Sequence, residues 1–161
     1  LQGSLTSLSS VTLINPGGGS LGETVFTTQW SPDGNYLAIG GRFYGSSSTG
    51  DRDIQIYQFD RINGSLSLVA SANPGGASYV DRAFSMSWSG DGRYLAVGGA
   101  FPYSAPYTDA FILYQFDTTA NTLLQVASLN PEGGSTSLEN FAVVDWSSDG
   151  QHIVIAGRFN T

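Results

Sequence analysis

Three tryptophans stand 58 residues apart, and each begins the same phrase. Trp30 opens Trp-Ser-Pro-Asp-Gly-Asn-Tyr-Leu-Ala-Ile, Trp88 opens Trp-Ser-Gly-Asp-Gly-Arg-Tyr-Leu-Ala-Val, and Trp146 opens Trp-Ser-Ser-Asp-Gly-Gln-His-Ile-Val-Ile. A fixed period of this length is typical of repeat architectures, in which each unit buries its apolar faces against its neighbours. The chain is therefore predicted to be an array of similar units.

Each unit is predicted to form four short strands separated by turns. The strands of the first unit are predicted at Val25–Trp30, Tyr36–Gly40, Asp53–Phe59 and Leu66–Ser71. Those of the second unit are predicted at Ala83–Trp88, Tyr94–Gly98, Ala110–Phe116 and Leu123–Ser128. Ser-Pro-Asp-Gly after Trp30 predicts a tight turn with glycine at positive φ, and Asn63-Gly64 predicts a type I′ hairpin turn. No helical periodicity is visible.

The second strand of every unit is a continuous apolar run, such as Tyr-Leu-Ala-Ile from Tyr36. Such a run indicates burial on both faces of the sheet. A four-stranded antiparallel sheet that similar sheets cover on both faces is a propeller blade. The predicted fold is therefore all-β, built of propeller blades of four antiparallel strands with a repeat of 58 residues.

The blades are predicted to form one repeat array over residues 1–161. Its parts are an orphan fourth strand (Leu8–Ile14) with a linker in 1–24, a blade in 25–82, a blade in 83–140, and the first two strands of a further blade in 141–161. A propeller closes with about four blades or more, so this count predicts an incomplete ring. Three explanations stay open: a piece of a longer propeller, a ring closed by copies of the chain, and an open fibre.

Composition excludes several partners. The net charge is −7, and all six basic residues are arginines. Phosphate contacts need clustered cations, so binding to nucleic acid or to anionic lipid is not expected. No apolar stretch approaches the length of a membrane span, so no membrane insertion is expected. With no cysteine and one histidine, no metal site or cofactor is predicted. The low charge and the many small polar residues favour a secreted or cell-surface location.

The repeated Trp-Ser-x-Asp-Gly-x-Tyr-Leu-Ala phrase, followed by a strand such as Ile54 to Tyr57, resembles the WD-repeat-like β-propellers, in their bacterial long-blade form. The segment Phe59–Leu68 also resembles blades of the lactonase-type propellers. The resemblance covers essentially the whole chain. It implies the fold but no single activity, because propellers carry many unrelated functions.

Candidate binding residues lie in the long loops, because function concentrates on loops held by a rigid scaffold. These candidates are the charged and tyrosine side chains Arg42, Tyr44, Asp51, Asp53, Tyr103, Tyr107, Asp109 and Arg158. The recurring Phe43, Phe101 and Phe159 are interpreted as core residues, and the recurring Asp33, Asp91 and Asp149 as turn-forming residues. His152 replaces a tyrosine of the other units, and no catalytic residue is predicted.

The sequence favours a non-catalytic binding or structural module. Its partner would be protein: copies of itself, or the rest of a longer propeller or fibre. Two alternatives stay open. One is a lactonase-like hydrolase that uses rim carboxylates and arginines, and the other is a carbohydrate-binding propeller that stacks rim tyrosines on sugars.

Overall fold

Every described element of the chain is a β-strand. The computed structural model describes residues 10, 24–43, 52–74, 81–101, 109–129 and 141–158. These residues form ten strands in three open antiparallel sheets. No helix that could cross a membrane occurs in these ranges. The predicted all-β class is confirmed.

The first two sheets each contain four strands in sequence order, and the third contains two. Blade 1 consists of β1 (Thr24–Trp30), β2 (Tyr36–Arg42), β3 (Ile54–Asp60) and β4 (Ser65–Ala72). Blade 2 consists of β5 (Arg82–Trp88), β6 (Tyr94–Phe101), β7 (Asp109–Asp117) and β8 (Thr122–Leu129). Half-blade 3 consists of β9 (Phe141–Trp146) and β10 (Ile153–Arg158). All eight predicted strands of the two full blades are present, with ends shifted by a few residues.

The predicted division of the chain at 24, 82 and 140 stays a prediction. Strands β1 and β5 begin at Thr24 and Arg82, one residue before the predicted starts of the two blades. The predicted orphan strand Leu8–Ile14 lies almost wholly outside the described residues. Ser10, which is described, has no regular secondary structure. Blades 1 and 2 share two register irregularities, one between the first two strands and one between the last two. Blade 2 has one more, between β6 and β7. The 58-residue repeat in the sequence is thus a repeat in backbone geometry.

The hairpin after β3 differs from the prediction. A type I′ turn needs positive φ at both central residues. Gly64 has a φ of 63°, but Asn63 is not among the described non-glycine residues with positive φ. The loop is instead organised by Asp60, whose carboxylate accepts hydrogen bonds from the amides of Ile62 (2.8 Å) and Asn63 (3.2 Å). The predicted type I′ turn is wrong, because this carboxylate stabilises a longer loop that leaves only Gly64 in the left-handed region.

The sheets pack face to face, with β1, β5 and β9 next to one another. We define the front face of a blade as the side that carries its tryptophan, and the back face as the opposite side. The main core lies between the back face of blade 1 and the front face of blade 2. It includes Ala38, Ile54, Ile56 and Ala70 from blade 1 and Met86, Trp88, Leu95, Val97, Tyr114 and Phe116 from blade 2. A second core lies between blade 2 and half-blade 3.

Candidate functional site

The Ser-x-Asp-Gly turns repeat one geometry three times on one rim. In each, the serine hydroxyl donates to the aspartate carboxylate at 2.5 to 2.6 Å. The glycine amide donates to the serine carbonyl at 2.8 to 2.9 Å, with a φ between 67° and 71°. The same aspartate oxygen accepts the amide two residues later at 3.0 Å. The interpretation of Asp33, Asp91 and Asp149 as turn-forming residues is confirmed.

These hydrogen bonds stabilise the charged form of the turn carboxylates. For Asp91 the Ser89 hydroxyl contributes most, followed by the Arg93 amide, and the pKa lies below its ordinary value. The pKa of Asp149 is lowered in the same way, first by the Ser147 hydroxyl. Each carboxylate is therefore ionised at neutral pH and engaged by its own turn.

A pH dependence of stability follows from these lowered pKa values. A carboxyl whose folded pKa is below its unfolded value of 3.8 stabilises the fold above that value. The contribution is lost as the pH falls through the folded pKa. We expect the urea midpoint of unfolding to fall between about pH 6 and about pH 3, and to fall less in Asp91→Asn. An equal fall in the variant and in the natural chain would contradict this role of Asp91.

Two grooves lie between successive turns on this rim. One, of about 410 Å³, is lined by Pro32, Tyr36, Arg93 and Phe116. The other, of about 510 Å³, lies between the second and third turns and includes Trp146 in its wall. Within the described residues no group of three histidine or carboxylate side chains is placed to hold a metal ion. The grooves are consequences of blade packing, since each forms where one turn lies beside the next.

Half of the eight predicted binding residues lie outside the described residues. These are Tyr44, Asp51, Tyr103 and Tyr107. The backbone of Asp109 begins β7 and that of Arg158 ends β10, but their side chains are not described. The lactonase-like and carbohydrate-binding hypotheses depend on these residues and stay predictions.

Asp53 and Arg42 lie together at the end of blade 1. The Asp53 side chain is 1% exposed, and its Oδ1 accepts the Phe43 amide at 2.9 Å. Arg42 is the last residue of β2, directly before Phe43. Phe43 and its counterpart Phe101 are buried, which confirms them as core residues, while Phe159 lies outside the described residues. The Asp53 carboxylate thus holds the start of the loop, and a binding role for it stays a prediction.

Buried polar groups also meet between blades 1 and 2. Burial raises the pKa of Tyr114 far above its ordinary value, and the carboxylates of Asp53 and Asp81 raise it further. The Tyr114 phenol is therefore protonated at any ordinary pH. His152, by contrast, is exposed, with Nδ1 3.9 Å from Asp149 Oδ1. The structure places the histidine at the third Ser-x-Asp-Gly turn, where its backbone amide donates to the Ser147 hydroxyl at 2.9 Å.

Aromatic side chains form one part of the interface between blades 1 and 2. Trp88 packs edge-on against Phe116, with ring centroids 5.7 Å apart, and Tyr36 of blade 1 packs edge-on against Phe116 at 5.0 Å. The indole Nε1 of Trp88 donates to the Gln29 carbonyl of blade 1 at 3.3 Å. The tryptophan of one blade therefore bonds to the backbone directly before the tryptophan of the preceding blade.

Serines strengthen the interface between blade 2 and half-blade 3. The hydroxyl of Ser87 donates to Asp145 Oδ1 at 2.9 Å and accepts the Trp146 amide at 3.2 Å. Ser85 accepts the Val144 amide at 3.2 Å. These links were not predicted. The alternation Ser-Met-Ser-Trp in β5 was the available signal, since it places both serines on the face opposite Met86 and Trp88.

The front face of blade 1 is the exposed counterpart of these interfaces. Trp30 is 49% exposed, whereas Trp88 at the equivalent position is 7% exposed. Trp30 packs edge-on against Phe59, with ring centroids 5.4 Å apart. Beside this pair, on the same side of the sheet, Ile39, Phe43 and Tyr57 form a small buried cluster. Leu37, Leu66 and Leu68 pack against it. We call the exposed β1 part of the front side of blade 1, centred on Trp30, the Trp30 face.

The fold and these blade interfaces define a class, the β-propeller. A scan against protein-family models gives no match, and a search of curated proteins gives none either. Solved structures do match. The periplasmic gluconolactonase PpgL of Pseudomonas aeruginosa is 23% identical with a TM-score of 0.57, over 81% of this chain and 35% of that one.

Two further structures support the same class. A protein from Lactobacillus plantarum is 18% identical with a TM-score of 0.61, over 84% of this chain and 35% of that one. The C-terminal WD40 domain of Sif2 is 17% identical with a TM-score of 0.50, over 83% of this chain and 33% of that one. The chain thus spans about a third of the length of these structures. The predicted resemblance to WD-repeat-like and lactonase-type propellers is confirmed for the fold.

Proposed function

We propose that this chain is a non-catalytic structural and binding module that associates with another propeller blade through its Trp30 face. The single observation that carries the proposal is the contrast between two equivalent tryptophans. Trp88 is covered by the back face of blade 1, and Trp30 presents the same kind of surface to solvent. The proposed partner surface is therefore the back face of a blade.

The energetic gain is substantial for one side chain. Covering Trp30 as completely as Trp88 would remove roughly 100 Å² of its surface from water, since a tryptophan buries about 250 Å². At about 25 cal/mol per Å², this contributes about 2.5 kcal/mol. Buried tryptophans near the centre of an interface are common hot spots of binding energy. Trp30 is accordingly the residue whose loss should weaken association most.

The surroundings of Trp30 also favour a protein partner. Val25, also exposed on this face, is equivalent to Ala83, which is fully buried against blade 1. Thr28 is exposed, while the equivalent Met86 is buried. Several positions of the Trp30 face therefore change from buried to exposed together. A secreted or cell-surface location remains a prediction from composition.

The test is the mass of the chain in solution, measured by light scattering, with negative-stain microscopy of the same sample. We expect the natural chain to exceed its 17.0 kDa mass increasingly with concentration. Trp30→Ser should associate at least about tenfold more weakly, the equivalent of about 1.4 kcal/mol. The matched control is Ile62→Ser, which removes a side chain 94% exposed in the hairpin loop after β3. A natural chain that stays monomeric at all concentrations would overturn the proposal.

A further inference from the structure

Half-blade 3 has an exposed back face, the kind of surface that we propose as the partner of the Trp30 face. The back face of blade 1 packs on blade 2, and the back face of blade 2 packs on half-blade 3. The back face of half-blade 3 is exposed, with Val143 at 53% and Val154 at 63%. Ala38 and Ala96, which are equivalent to Val154, are fully buried. One chain therefore presents two exposed surfaces, the β1 residues on the front side of blade 1 and the back face of half-blade 3.

We infer that the partner of the Trp30 face is a second copy of this chain, docked through the back face of its half-blade 3. This inference rests on the proposed function and adds the partner and the register. The same back-to-front contact occurs twice within the chain, and docking of a second copy would repeat it a third time. A second copy would extend the row of β1, β5 and β9 by the same step.

The repeat gives the register of the contact. A Cβ placed on Gly40 would lie 3.2 Å from the Cβ of Ala83 across the first interface. Moving along the sequence by whole repeats carries Gly40 to Ala156 and Ala83 to Val25. Both of these residues are exposed. Ala156 of one copy is thus expected to face Val25 of the next.

The same shift by whole repeats predicts a hydrogen bond between copies from the one between blades 1 and 2. Trp88 Nε1 donates to the Gln29 carbonyl. The equivalent pair across copies is Trp30 Nε1 and the Asp145 carbonyl. A contact of this kind is head-to-tail, so it closes into a ring or propagates as a filament. A symmetric front-to-front dimer would place Trp30 against Trp30, an arrangement that neither internal interface contains.

The chain has no cysteine, so introduced thiols report the contact directly. Two single-cysteine chains, Val25→Cys and Ala156→Cys, are made with tags of different size and mixed at a concentration at which the natural chain associates. The mixture is then oxidised. Disulfides form when the Cβ atoms lie about 3.5–4.5 Å apart. We expect the mixed Val25→Cys/Ala156→Cys dimer to form several-fold more than either dimer of like chains.

Two controls separate this contact from random collision. Ile62→Cys with Ala156→Cys should give several-fold less mixed dimer, because Ile62 lies in the hairpin loop after β3 and is not a strand position of the proposed contact. Adding Trp30→Ser to Val25→Cys should reduce the mixed dimer. Because Val25 and Ala156 are exposed, neither cysteine should disturb folding, and circular dichroism checks this.

The outcomes distinguish the two proposals. A natural chain that is monomeric overturns the proposed function and this inference together. An associating chain whose mixed dimer does not exceed the Ile62→Cys control overturns the inference alone. A dominant dimer between two Val25→Cys chains also overturns it, since that product shows front-to-front docking.

Discussion

Replacing Trp88 by alanine is expected to lower the free energy of unfolding by about 3–5 kcal/mol. The indole is 7% exposed, packs against Phe116 and donates a hydrogen bond to the Gln29 carbonyl of the neighbouring blade. Its removal leaves a cavity between two blades and takes one hydrogen bond from the Gln29 carbonyl, and both effects lower stability. Urea unfolding followed by circular dichroism measures the loss.

Trp30→Ala is the matched control, because it makes the same change at the equivalent position of blade 1. Trp30 is 49% exposed, so its loss should cost about 1–2 kcal/mol in the dilute chain. The two variants should reverse their order in an association assay, where Trp30 matters more. Equal destabilisation of the dilute chain by both substitutions would contradict the assignment of Trp88 to a covered face and Trp30 to an uncovered one.

The strands and turns could be predicted because their signals are local. Each Ser-x-Asp-Gly turn has a serine hydroxyl, an aspartate and a glycine at fixed spacing, and each forms the expected geometry. The hairpin after β3 was mispredicted for a local reason too. Asn63-Gly64 predicts a two-residue turn. The Asp60 carboxylate, three residues before Asn63, instead stabilises a longer loop. The equivalent Asp117 does the same in blade 2, where Asn121 takes the positive φ.

The degree of burial could be predicted only in part, because it depends on neighbours. The apolar run of the second strand predicted cover on both faces. In β6 the second strand is buried as predicted, since all residues from Leu95 to Phe101 are buried. In β10, Val154 is exposed although the run Ile-Val-Ile is equally apolar. The sequence of a strand shows that its side chains can pack against a neighbouring blade. It does not show whether a blade lies there.

The candidate site was harder to predict than the fold. The sequence predicts binding side chains in the long loops, because loops usually carry function. Trp30 is visible in the repeat, but it opens the same Trp-Ser-x-Asp-Gly phrase as the covered Trp88. Only the packing of the blades distinguishes them. The same tryptophan of the repeat is thus exposed in blade 1 and buried in blade 2.

Gly99→Ala is expected to lower the free energy of unfolding by about 3 kcal/mol, at the upper end of the usual cost of overpacking. An added Cβ would lie 2.2 Å from the Arg82 carbonyl oxygen and 2.3 Å from Cζ of Phe101. The carbonyl belongs to the neighbouring strand and cannot rotate away as a side chain could. Gly41, the equivalent residue of blade 1, has the same 2.2 Å approach, to the Thr24 carbonyl oxygen.

Gly90→Ala is the control for this change, since it adds the same methyl group where nothing lies within 4 Å. Gly90 is not among the described glycines with positive φ, so alanine should leave stability unchanged or raise it by up to about 1 kcal/mol through the unfolded chain. Urea unfolding of the two variants side by side measures the difference. If Gly99→Ala were as stable as Gly90→Ala, the close approach of β5 to β6 would not constrain the blade. The glycine pairs at the ends of the second strands would then need an explanation other than packing.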